Sequence, residues 1–270
     1  MSVLARRHAI VALASMIIAC EAPESDGETM ADGTATDSSE TEDMPEPGLD
    51  VGDTEPVEPV VRCVTPRGHT GSPQSIEEAV AHIQALPGPV DVPCVLESFA
   101  RPLSLLASNS PFSAQPARGD ANPRLFVFFD GLILSFATTG HGATLVEFAE
   151  FVGPTTTIKG ELEFPLDPAV VDTAAVFTQV QFEDGGSNCR FCHRNEVPAD
   201  ADLYPGAFAS DALAAREDTI LDLEQVRAYA DHCDVRVDPM RCAIYDAVFD
   251  SGEVVAGSFD PEIQTIFDYD

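Results

Sequence analysis

The spacing of apolar residues predicts a helix near the start of the folded part of the chain. Between residues 76 and 86, apolar side chains recur every three or four positions, the period of a helix with one buried face. Ser75 stands at the expected N-cap, Glu77 and Glu78 fall in the first turn, and Pro87 ends the pattern. The sequence therefore predicts a helix at residues 76–86.

From residue 90 to residue 182 the pattern changes to that of strands. Short runs rich in Val, Phe and Ile alternate with clusters of Gly, Pro, Asn or Asp, and Asp130-Gly131 between two apolar runs is typical of a tight hairpin. Residues 60–184 are therefore expected to form an antiparallel β-sandwich-like domain. The predicted strands are 92–99, 103–107, 125–129, 132–136, 145–151, 156–164 and 176–182.

Helical spacing returns in the last part of the chain. Residues 219–230 fit a helix capped by Asp218, and Pro239 opens a second helix that runs to about residue 249. Residues 185–270 are therefore expected to form a small α-helical unit. The predicted fold class is α+β, with the sandwich-like domain followed by a disulfide-stapled helical unit.

The N-terminus has the pattern of an export signal. Arg6 and Arg7 precede an apolar stretch at residues 9–19 that is too short to span a bilayer. The stretch ends in Ile-Ile-Ala-Cys at residues 17–20, which resembles the bacterial lipobox. This resemblance implies that residues 1–19 are a signal peptide and that acylated Cys20 anchors the protein. The alternative is a plain secretory peptide with Cys20 in a disulfide.

Charge adds an acidic tether to this organisation. The chain carries a formal charge of −32, which becomes −34 when the two arginines of the signal peptide are removed. Fourteen acids and no base lie between Glu21 and Glu58, so residues 20–59 are expected to be a disordered spacer. A chain with this net negative charge repels nucleic acid and anionic lipid headgroups, so membrane contact is expected through the lipid anchor only. In the resembled family, Glu21 after the cysteine favours the outer membrane or cell surface, on the periplasmic or extracellular face.

Six cysteines remain beside Cys20, an even number in an oxidising compartment. Pairing nearest neighbours predicts disulfides Cys63–Cys94 and Cys233–Cys242, although six cysteines allow fifteen connectivities.

The sequence C-R-F-C-H at residues 189–193 has the spacing at which two thiols and a histidine hold a haem. It resembles the site of c-type cytochromes. The resemblance implies haem c attached to Cys189 and Cys192, with His193 as the proximal iron ligand. Met240 is the expected sixth ligand, and His232 is the alternative.

Two other roles for these residues stay open. Cys189 and Cys192 could be bridged structurally, or both could bind zinc with His193 and His232. A thioredoxin-type pair is disfavoured because the βαβ context is missing, and no hydrolase or phosphate-binding motif occurs.

The predicted function is electron transfer, or docking of redox partner proteins, by an envelope-anchored lipoprotein with one covalent haem. A peroxidase-like activity is expected if the sixth position stays open, and beyond the haem the sequence contains no catalytic constellation. The alternative is a non-enzymatic surface lipoprotein with a β-sandwich binding domain and purely structural disulfides.

Overall fold

The computed structural model describes residues 63–183 and 185–268. The predicted signal peptide, the predicted lipidation site Cys20 and the predicted acidic tether lie outside the described residues. The helices are α1 (Ile76–Gln84), α2 (Val92–Ser98), α3 (Thr173–Thr178), α4 (Leu223–Asp231) and α5 (Pro239–Phe249). None of the helices in these ranges has the length and apolar character needed to cross a membrane.

In the described part of the chain, nine strands form one sheet. They are β1 (Leu103–Ser108), β2 (Arg124–Phe128), β3 (Leu132–Ala137), β4 (Leu145–Gly153), β5 (Thr156–Glu163), β6 (Val197–Pro198), β7 (Phe208–Asp211), β8 (Ile220–Leu221) and β9 (Val254–Ala256). Strands β1 to β5 form an antiparallel meander, and the order across the sheet is β6-β7-β5-β4-β3-β2-β1-β8. Strand β9 pairs in parallel with β1, beside the part of that strand that β8 leaves open.

The meander is close to the prediction because its strands carry clear hydrophobic runs between turn residues. The central five strands begin and end within two residues of the predicted bounds. At the Asp130-Gly131 turn, the Phe129 N–H donates to the Leu132 carbonyl at 2.8 Å, and Gly131 has φ +88°. This left-handed conformation suits glycine, which lacks the Cβ that would clash there.

The alternation along the strands gives the sheet two different faces. On one face, which we call the helical face, the cross-strand row Leu105, Val127, Leu134 and Phe148 is fully buried and ends at Gly160. Helices α1, α2, α3 and α5 contribute to the same core. A Cβ on Gly160 would lie 2.4 Å from the Val176 side chain, so the glycine lets α3 approach β5 closely.

One predicted strand is a helix in the structure, and a second is helical in part. Residues 92–99 were expected to be extended because Val, Leu and Phe favour strands, but Asp91 caps α2 by accepting from the Cys94 N–H at 2.8 Å, and Pro93 lies in the first turn. Residues 176–182 overlap α3, which Asp172 caps in the same way. In both places a helix start signal overrode the local composition. The second C-terminal helix begins at Pro239 as predicted, whereas α4 begins at Leu223, capped by Asp222 rather than Asp218.

The α+β class is confirmed, and the sheet of the described residues is a single one rather than the two sheets of a sandwich. Residues 185–270 do not form a separate helical unit among the described residues. Their strands β6 and β7 extend one edge of the sheet, β8 and β9 extend the other, and α5 packs against α2. Strands β6 to β9 are only two to four residues long, too short for a visible periodicity, so the sequence does not show that they join the sheet.

Both predicted disulfides are present. Cys63–Cys94 ties the first described residues to α2, with a Cα–Cα distance of 5.1 Å. Cys233–Cys242 ties the connection after α4 to α5, with a Cα–Cα distance of 5.5 Å.

Candidate functional site

The C-x-x-C-H sequence forms a tight turn. A 3-10 helix spans Asn188–Phe191, and the Ser187 side chain caps it by accepting from the Cys189 N–H at 3.2 Å. The N–H groups of Cys192 and His193 both donate to the Cys189 carbonyl, at 3.1 and 2.9 Å. These bonds place both sulfur-bearing residues and the histidine on one turn of backbone.

Hydrogen bonds to Glu196, just before β6, and to Asp211 at the end of β7 hold this turn in place. Ser187 donates from its N–H to Glu196 Oε1 at 3.0 Å, and its hydroxyl donates to the other carboxylate oxygen. On the other side of the turn, Asn195 Nδ2 donates to Asp211 Oδ2 at 2.8 Å, and Asn195 has φ +58°. The loop is therefore fixed to the end of β7 as well as to itself.

The two cysteines of the turn differ from the other described cysteines, which are paired in the two disulfides. Cys189 and Cys192 are both partly buried, and the structure contains no disulfide between them. Burial is the main cause that raises the pKa of Cys189 to about 11. The sulfur is therefore a protonated thiol at neutral pH, which is unlike the low-pKa thiolate of a redox-catalytic cysteine.

His193 has a defined tautomer. Its Nδ1 atom lies 2.7 Å from the Asp211 carbonyl oxygen. Because a carbonyl oxygen can only accept, Nδ1 carries the proton, and in the neutral ring Nε2 carries the lone pair. Burial, followed by the nearby charge of Lys159, lowers the pKa of His193 to about 3, so the ring is neutral at physiological pH. A neutral imidazole with a free Nε2 lone pair is the form that binds a metal.

Lys159 lies beside this histidine on the second face of the sheet, which we call the polar face. Its side chain is 7% exposed, and Nζ donates to the hydroxyls of Thr157 and Ser210, both at 2.8 Å. It also reaches the carbonyls of Ser210 at 3.1 Å and Asp211 at 3.0 Å. Burial lowers the pKa of Lys159 to about 8, which leaves the ammonium charged at pH 7.

Carboxylates and an arginine continue the polar face across β5, β4 and β2. Glu161 stands directly opposite Glu147 in the pairing of β5 with β4. Arg124 forms an ion pair with Glu147, and Arg124 Nη2 also donates to Ser135 Oγ at 2.8 Å. Burial, with the charge of Glu147 second, raises the pKa of Glu161 to about 7. Several groups with displaced pKa values in one place are typical of functional sites, although structural ion networks produce them too.

Aromatic side chains stand at the outer side of the turn. Phe191 lies between the two cysteines in sequence and is 70% exposed. Its ring meets that of Phe182 edge-on, with 5.6 Å between centroids, and Arg190 lies 5.1 Å over the Phe182 ring. This exposed pair gives the turn an apolar side that a flat, apolar group could cover.

The structure does not bring the expected sixth ligands to His193. Met240 lies in α5 and packs against the core of the helical face, whereas Lys159 and Arg124, which influence the pKa of His193, lie on the polar face. His232 ends α4, and its Nδ1 bonds the Ala228 carbonyl at 2.8 Å.

The four-residue zinc set is not assembled either. Within residues 63–183 and 185–268 no three or more His, Cys, Asp or Glu side chains are grouped so as to hold a metal ion. Cys189, Cys192 and His193 share one turn, while His232 is the C-cap of α4, whose Val226 packs in the core of the helical face.

Sequence reasoning missed the polar face beneath the turn. Lys159 and Glu161 were visible as alternating polar positions of a strand, and such positions usually face water. Their burial depends on residues 188–195 and β7 folding back over β5, a long-range contact that periodicity does not report. The signal that could have identified Lys159 is that it is the single lysine of the chain, placed mid-strand among apolar and small residues.

Comparison of the chain with models of known protein families, with curated proteins and with solved structures returns no match.

Proposed function

We propose that this protein is an exported electron-transfer protein that carries one covalent haem c on Cys189, Cys192 and His193. The observation that carries the proposal is the bond from His193 Nδ1 to the Asp211 carbonyl at 2.7 Å. It fixes the tautomer in which Nε2 is the metal-binding atom, one residue after Cys192. A backbone carbonyl partner of this kind also orients the ring and raises the basicity of the metal-binding nitrogen.

The cysteines fit attachment as well as the histidine does. Attachment adds each thiol across a vinyl double bond of the porphyrin: sulfur bonds to one carbon, hydrogen to the other, and no oxidant or reductant is consumed. The reaction requires S–H groups, and the raised pKa of Cys189 keeps that sulfur protonated at neutral pH. When bound, the haem supplies the iron that takes up and releases one electron.

The surroundings of the turn suit a protein that exchanges electrons at its surface. The exposed rings of Phe191 and Phe182 offer apolar contact to the macrocycle on the solvent side. The lipobox-like N-terminus and the acidic segment support an envelope location, with the folded part held away from the membrane by residues 20–59. Haem c is attached outside the cytoplasm, so location and site agree.

The test is expression of the mature chain in a host with a cytochrome c maturation system. We expect a coloured protein whose reduced form has the sharp α-band of c-type haem, and whose haem stays with the protein in acidic acetone. The variant in which Cys189 and Cys192 are both alanine should lose the haem. The matched control, with Cys63 and Cys94 both alanine, removes a disulfide and should keep it.

A colourless wild-type protein would overturn the proposal. If Cys189 and Cys192 were then found in disulfides, the alternative of a non-enzymatic surface lipoprotein with structural bridges would replace it. The spectrum of the oxidised form also reports the sixth position. A high-spin spectrum would mean that this position is open, as in peroxidase-like haem proteins.

A further inference from the structure

Two donors converge on one carbonyl oxygen beside the candidate haem ligand. The Asp211 oxygen accepts from His193 Nδ1 at 2.7 Å and from Lys159 Nζ at 3.0 Å. A carbonyl oxygen has two lone pairs, so it can accept both bonds at once. The ammonium group and the imidazole are thereby linked through a single atom of the β7 backbone.

The surroundings of Lys159 hold its charge at this position. Nζ is fixed by the Thr157 and Ser210 hydroxyls, both at 2.8 Å, and by the Ser210 carbonyl at 3.1 Å. The side chain is 7% exposed, so solvent screens its charge little. Thr157 and Ser210 face each other in the pairing of β5 with β7, which places the acceptors around one point.

A cation at this point acts on a metal bound to His193 in two ways, and both change its reduction potential in the same direction. Its bond to Asp211 draws electron density from the carbonyl oxygen, so that oxygen becomes a weaker acceptor for the Nδ1–H and the imidazole a weaker donor to a metal. Its positive charge, poorly screened, also opposes a gain of positive charge at the metal. Both effects favour the reduced form of an iron bound at Nε2 over the oxidised form.

We propose that Lys159 is a positioning residue for His193 which, through the shared Asp211 carbonyl and its own charge, raises the reduction potential of the haem. This inference rests on the proposed haem attachment. It assigns a role to the single lysine of the chain, and it makes the β5–β7 pairing part of the redox site.

The loaded protein provides the first test, by redox titration of the wild type and of Lys159→Met. We expect the variant to have a lower potential. Lys159→Gln removes the charge but keeps a hydrogen-bond donor, so it should lie between the two, and it replaces the Met variant if that one fails to fold. The control is Arg236→Met, which removes one positive charge from a side chain that is 86% exposed and should leave the potential unchanged.

A second readout needs no haem. In the unloaded protein, nuclear magnetic resonance of the His193 ring should show Nδ1 protonated, and in Lys159→Met the Nδ1 proton should move downfield because Asp211 then accepts from it alone. Haem attached to the wild type together with an unchanged potential and an unmoved Nδ1 proton in the variants would refute the role of Lys159 alone. A wild type that takes up no haem would refute the proposed function, and this role with it.

Discussion

Lys159 should make the stability of the unloaded protein rise with pH in the alkaline range. Burial lowers its pKa from 10.5 to about 8 in the folded protein. Between these two values the unfolded chain holds a proton on this amine that the native protein has released. Because the unfolded state then binds more protons, the free energy of unfolding increases as pH rises from 8 to 10.5.

The size of the effect follows from the difference between the two pKa values. At about 1.4 kcal/mol for each tenfold change in proton affinity, the increase is about 3 kcal/mol. The side chain is 7% exposed, so solvent screening reduces this figure little. Below pH 8 the cost of burying the ammonium is present in full, and above about pH 10.5 it is gone.

The assay is urea unfolding of the wild type and Lys159→Met at intervals between pH 7 and 11. The difference between the two proteins isolates Lys159, because the tyrosines whose pKa values rise to about 12, Tyr204 and Tyr245, are present in both. We expect the wild type to gain about 3 kcal/mol relative to the variant over this range. Parallel stability curves would show that Lys159 is not buried as described.

Two further substitutions probe the same sheet. The pKa of Glu161 is raised from 4.5 to about 7, so between these pH values the native protein keeps a proton that the unfolded chain has released. The free energy of unfolding should therefore fall as pH rises from 4.5 to 7. In Glu161→Gln this fall should be smaller by about 1–2 kcal/mol, after allowance for the partial exposure of the side chain. An equal fall in the variant would contradict the assignment. Gly160→Ala places a Cβ 2.4 Å from Val176 and should lower the free energy of unfolding by about 1–3 kcal/mol in urea titration. Gly153→Ala, where the nearest atom is 3.6 Å away, is the control, and equal losses in the two variants would argue against the close approach of α3.

The meander and the Cys233–Cys242 disulfide could be predicted because their signals are local, whereas Cys63–Cys94, with a sequence separation of 31, followed only from pairing nearest neighbours. Asp130-Gly131 specifies a hairpin by itself, and Cys233 and Cys242 lie on either side of one short connection. The failures at α2 and α3 have a local cause as well. Asp91, Pro93 and Asp172 are helix start signals, but the β-branched and aromatic residues beside them favoured strands.

Of the candidate site, only the C-x-x-C-H sequence at residues 189–193 could be predicted, and not the residues that surround it. The C-x-x-C-H spacing pointed to the turn, but the spacing of Met240 in the sequence could not show that its helix packs on the helical face. Likewise, Lys159 and Asp211 are 52 residues apart and meet because β7 pairs with β5. Such contacts depend on the register of short strands, which a periodic pattern does not encode.

The placement of β6 to β9 affects how the chain can aggregate. Strand β7 pairs with residues 156–158 at the β5 edge of the meander, and β8 and β9 pair with β1 at the other edge. Until those segments pair, β1 and β5 both present rows of unpaired N–H and C=O groups, and a strand of any other chain can add to them. A chain cut before residue 197 would keep the hydrophobic meander and lose the protection of both its edges, so it should form fibrils or inclusion bodies where the longer chain stays dispersed.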